Sequence, residues 1–101
     1  MIYNKLVRDR IPELIEANGE KPHIRILEKE EYLHHLEAKL DEEVGEYHRD
    51  KNAEELADIL EVVFALAEAN GITRQELQAV YQKKHEARGG FADRIFLISK
   101  D

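Results

Sequence analysis

One segment of the sequence, residues 52–69, is apolar on nearly every side when it is drawn as a helix. At about 100° per residue, its acids Glu54, Glu61 and Glu68 form one narrow strip, and most other positions carry aliphatic residues or Phe. A helix that is apolar nearly all round is buried on several sides. The chain has only 101 residues, and a domain of this size buries roughly 60–65% of its unfolded surface. The segment therefore predicts that a partner subunit completes the core.

Three further segments have helical patterns. A short helix is predicted from Pro12 to Ala17, a long one from roughly Lys29 to His48, and a third from Thr73 to near Arg88. Asn52 and Thr73 are favourable N-cap residues for the helices that follow them. The connections are only a few residues long, so consecutive helices are expected to pack antiparallel.

Two short β-branched runs near the chain ends, residues 23–27 and 94–99, favour strands. They are the only such runs, and we predict that they pair. The sequence thus predicts one all-α domain over residues 1–101. Its expected architecture is an antiparallel helical bundle with a small two-stranded terminal β element, completed as a homodimer or homotetramer.

The charge balance limits the classes of partner. Lys and Arg number 15 and Asp and Glu 22, a formal net charge of −7. Nucleic acids and anionic membranes attract basic surfaces, so neither is an expected partner. The chain has no Cys, no apolar run of membrane-spanning length and no signal-peptide core at its N-terminus. We therefore expect a cytoplasmic protein.

Four acids on two consecutive helices have the spacing of a cation site. Glu43 with Glu46, and Glu55 with Asp58, are each three residues apart and so share a helix face. Glu43 lies at the edge of an apolar stripe, where it either needs a partner or reaches out to water. Glu55 could instead complete a capping box after Asn52. Four converging carboxylates would repel one another unless cations lay among them.

The donor set selects the metal. Carboxylate oxygens without Cys or suitably spaced His favour Mg²⁺ or Mn²⁺ over Zn²⁺. A di-iron site would need two Glu-x-x-His motifs. The predicted helices contain one, from Glu31 to His34, about three turns from the acids.

Two basic groups could contact phosphate. Lys84 and Arg88 end a stripe that begins with apolar residues, and they are expected either to enter the acid-lined cleft or to complement the dipole of their helix. Lys5 and Arg8 belong to an irregular N-terminal arm, which would otherwise be a charged surface segment.

The sequence from Glu42 to Glu46, Glu-Glu-Val-Gly-Glu, followed by Glu-Leu-Ala-Asp from Glu55 to Asp58, resembles the signature of the all-α NTP pyrophosphatases. The opening segment, residues 3–12, and the closing Arg-Gly-Gly-Phe, residues 88–91, resemble a small MazG-like subgroup described as phosphoribosyl-ATP pyrophosphohydrolase-like. The resemblance covers nearly the whole chain.

This resemblance implies Mg²⁺- or Mn²⁺-dependent hydrolysis of a nucleoside triphosphate to a monophosphate and pyrophosphate, of the house-cleaning type. It implies that Glu43, Glu46, Glu55 and Asp58 bind metal, and that Glu42 and Glu43 are catalytic, Glu42 as a peripheral ligand or a base. Lys84, Arg88, Lys5 and Arg8 are the expected phosphate contacts.

Three alternatives remain open at this stage. The first is the phosphoribosyl-ATP pyrophosphohydrolase of histidine biosynthesis. The second is a non-catalytic helical assembly module that binds a nucleotide or a metal. The third is an acidic interaction protein whose carboxylates are simply solvated.

Overall fold

The computed structural model describes all 101 residues and contains four helices. They are α1 (Ile11–Ala17), α2 (Lys29–Asp50), α3 (Ala53–Ala69) and α4 (Arg74–Arg88). The predicted all-α class is confirmed. No helix is both long enough and apolar enough to cross a membrane.

The predicted caps form. The side chain of Asn52 accepts a hydrogen bond from the backbone N–H of Glu55, and Thr73 accepts one from that of Glu76. Each of these bonds satisfies a backbone donor that a helix N-terminus leaves without a partner. Both helices accordingly begin one residue after the predicted cap.

A two-residue turn joins α2 to α3 and folds them into a helical hairpin. Lys51 ends α2 in the left-handed conformation, with φ 50°, and its N–H donates to the carbonyl of Tyr47. Asn52 then caps α3 directly. Three of the four buried residues of the chain are the apolar Leu36, Val62 and Ala67, so the core lies on this hairpin.

The predicted β element is wrong. Residues 23–27 and 94–99 contain no strand and form no ladder. Ile24 and Ile26 are largely exposed, as are all four residues from Ile95 to Ile98. Two short strands gain too little burial to be stable alone. The first run is instead held by a two-point ion pair between Arg25 and Glu31 on α2, at 2.8 and 3.3 Å.

The chain after α3 leaves the hairpin. At the start of α4, the Arg74 guanidinium stacks 3.9 Å from the centre of the Phe64 ring, and Leu77 is half-buried. From Gln78 to the C-terminus every residue is exposed. The radius of gyration is 17.8 Å, whereas a compact chain of this length has about 13 Å. The predicted packing of consecutive helices thus holds for α2 and α3 but not for most of α4.

Candidate metal centre

The four predicted acids converge. One carboxylate oxygen from each of Glu43, Glu46, Glu55 and Asp58 lies within 4.8 Å of the others. We call these four residues the acid cluster. Two come from α2 and two from α3, on the half of the hairpin nearer its turn. The i, i+3 spacing places each pair on one helix face, and the tight turn brings the two faces together.

Burial makes the acid cluster unusual. Glu43 is only 6% exposed, and the other three residues are half-buried. The Oε2 atoms of Glu43 and Glu55 are both buried and accept no hydrogen bond. Buried carboxylate oxygens are costly unless they are paired or bind a cation.

The pKa values of Glu43 and Glu55 are raised by burial and by neighbouring carboxylates. Burial is the main cause that raises the pKa of Glu43 above its ordinary value, and a hydrogen bond with Glu46 and its charge add to the rise. Partial burial likewise raises the pKa of Glu55, together with the charges of Glu46 and Asp50. Both shifts have the sign expected for acids that lack enough positive charge nearby.

The N-terminal arm lies against the acid cluster. The Arg8 guanidinium donates to Asp58 Oδ1 at 2.6 Å and lies 3.9 Å from Glu61. Lys5 Nζ donates to Glu42 at 3.1 Å. Arg8, Glu43 and Asp58 together line a cavity of about 240 Å³. The structure therefore brings both predicted basic residues of the arm to the acids.

Glu42 has a different electrostatic environment from Glu43. Burial opposes its ionisation, but hydrogen bonds and charges from Lys5 and Lys39 outweigh that effect and lower the pKa of Glu42. The same contact with Glu42 raises the pKa of Lys5. Glu42 is therefore ionised at neutral pH and lies beside the acid cluster rather than within it.

Lys39 was missed by the sequence analysis. Its ammonium lies 3.5 Å from both Glu42 and Glu43, and its side chain is 18% exposed. It is the residue one turn before these acids on α2, so the i, i+3 and i, i+4 spacing was the available signal.

Lys84 and Arg88 lie elsewhere. In one chain they line a separate, open cavity of about 510 Å³, together with Tyr81, His85 and the segment 89–91. None of the acid cluster lines this cavity. Their predicted phosphate-binding role would require another chain or a movement of α4 to bring them to the acids.

Comparisons with known proteins add little about function. No family model and no solved structure matches the chain. An uncharacterized protein of Mycolicibacterium smegmatis is 64% identical over 42 residues, which are 42% of this chain and 43% of that relative. The chain thus matches less than half the length of this curated relative. What the fold and the geometry define is a helical protein with four carboxylates gathered between two helices.

Proposed function

We propose that the protein is a Mg²⁺- or Mn²⁺-dependent nucleoside triphosphate pyrophosphohydrolase. The observation that carries the proposal is the acid cluster, with two buried oxygens that lack any hydrogen-bond partner. Hard oxygen donors gathered between two helices suit these cations. The resemblance to the all-α NTP pyrophosphatases supplies the reaction class.

The predicted acids each have a role in this proposal. Glu43, Glu46, Glu55 and Asp58 would hold the cation. When bound, such a cation neutralises phosphate charge and lowers the pKa of a water molecule. Glu42, ionised by its lysine neighbours, would accept a proton from the attacking water.

The N-terminal arm would bind the phosphates of the substrate. Arg8 and Lys5 lie at the edge of the acid cluster with exposed side chains, so they can exchange their carboxylate partners for phosphate oxygens. A guanidinium is well suited to this exchange, since it binds carboxylate and phosphate with the same planar fork.

The test is pyrophosphate release from a panel of NTPs, dNTPs and phosphoribosyl-ATP with Mg²⁺ or Mn²⁺. Asp58→Asn should abolish release. Glu54→Gln is the matched control, because Glu54 is an exposed acid one turn earlier on the same helix and should leave the rate unchanged.

The outcomes separate the alternatives. Release from phosphoribosyl-ATP alone would assign the protein to histidine biosynthesis. Thermal stabilisation by metal and nucleotide without pyrophosphate release would indicate a non-catalytic binding module. If the protein shows no pyrophosphate release and no metal-dependent stabilisation, the proposal is contradicted. That result would favour an interaction protein with solvated acids.

A further inference from the structure

The chain exposes far more surface than a compact monomer of its mass. Its accessible surface is 9369 Å², whereas a compact 11.8 kDa monomer exposes roughly 5,900 Å² by the usual scaling of surface with mass. The excess is roughly 3,500 Å². Permanent homodimers bury about 1,000–2,500 Å² on each partner, so the excess is larger than one ordinary interface covers.

Part of the excess lies on α3. Leu56 and Leu60 are 48% and 53% exposed, and their one-turn spacing places them on one helix face. Asp58, which joins the acid cluster, and the buried Val62 lie on the other side of α3. An apolar helix face without cover is the kind of surface that packs against another helix.

The rest of the excess is the segment 78–101, every residue of which is exposed. It carries Val80 and Tyr81 on α4, followed by the apolar run Ile95–Ile98. A helix of the length of α4, 15 residues, is marginal in water without a packing partner. The segment therefore has the composition of a packed element but packs on no surface of its own chain.

We infer that two copies of this chain exchange their segments 78–101, each laying α4 and its tail on the partner's α3. The exposed face of α3 and the exposed segment occur in every copy and complement each other, which is the condition for a closed two-fold assembly. Charge favours the same arrangement, since α3 carries five acids and no Lys or Arg, whereas α4 carries four basic residues and two acids.

This inference does not depend on the proposed reaction. Sedimentation equilibrium of the full chain should give at least twice the monomer mass of 11.8 kDa at micromolar concentration. Leu60→Glu should return the mass to that of the monomer. Leu14→Glu is the matched control, since Leu14 on α1 is 54% exposed and the charge change is identical, and it should leave the mass unchanged.

Disulfide crosslinking tests the exchange itself. Because the chain has no native Cys, only the introduced thiols can form a disulfide. The double variant Leu60→Cys/Val80→Cys should oxidise to a covalent dimer on a non-reducing gel. A crosslinked monomer would overturn the exchange. So would a monomeric mass at all concentrations, association only with a different protein, or an oligomer that Leu60→Glu does not dissociate.

Discussion

Replacing Glu43 with Gln removes one negative charge from the acid cluster and nearly preserves the size of the side chain. Two unit charges separated by 4.8 Å, the widest spacing in the cluster, repel by about 0.9 kcal/mol in bulk water and about 3.5 kcal/mol at an effective dielectric constant of 20. Glu43 faces several such charges, and Lys39 at 3.5 Å offsets roughly one of them.

The raised pKa of Glu43 lets a bound proton relieve part of the remaining repulsion. We therefore expect metal-free Glu43→Gln to be more stable than the natural chain by about 1–3 kcal/mol. Each kcal/mol corresponds to roughly 4–8 °C in Tm for a domain of this size.

Added metal should cancel or reverse this difference in stability. A cation at 100 times its Kd stabilises the folded state by about 2.7 kcal/mol, and the variant lacks one of the four ligands. The assay is thermal melting at fixed protein concentration, with EDTA and with millimolar Mg²⁺ or Mn²⁺.

Glu37→Gln, an exposed acid on the same helix, is the control and should shift stability by less than about 0.5 kcal/mol in either condition. A metal-free Glu43→Gln protein that melts below the natural chain would refute the claim that these carboxylates repel. Equal metal-induced shifts in both proteins would refute Glu43 as a ligand.

Three further outcomes follow from the structure. Leu36→Ala, at the 3% exposed centre of the hairpin core, should lower the free energy of unfolding by roughly 2–5 kcal/mol in urea titrations; a loss below 1 kcal/mol would contradict its place in the core. Because the pKa of Glu55 is raised in the folded state by burial and neighbouring acids, its protonation stabilises the fold as the pH falls below neutral. Without metal, Glu55→Gln should therefore melt above the natural chain at neutral pH, and this difference should shrink as the pH falls; a constant difference would count against the shift. Arg8→Gln should change stability by at most about 1 kcal/mol, because the ion pair is about half exposed, yet raise the KM for triphosphate; an unchanged KM would exclude a phosphate contact.

The sequence predicted the helices and the acid cluster because both depend on local rules. Asn52 and Thr73 fix the beginnings of α3 and α4 through side-chain caps. The three-residue spacing of the acids fixes their faces, and the short turn leaves one way to bring the faces together.

The predictions that were wrong or missing concern tertiary contacts. The β-branched composition of residues 23–27 favours a strand, but no neighbouring strand satisfies their backbone, and the ion pair from Arg25 to α2 holds the run instead. The hydrophobic periodicity of α4 likewise does not predict that α4 leaves α3. It identifies the apolar face of a helix but not the surface against which that face packs. Lys39 was within reach of sequence reasoning, had the cations near the acids been considered as well as the acids.

The two-residue connection at Lys51 and Asn52 has a consequence for comparing related chains. One residue inserted within α2 after Glu46, or within α3 before Glu55, would rotate one acid pair by about 100° about its helix axis and turn it away from the other pair. Substitutions at these two positions leave the alignment of the helices intact as long as the left-handed turn and the cap persist. The number of residues between the two acid pairs, rather than their identity, is thus the criterion for recognising distant relatives that keep the same site.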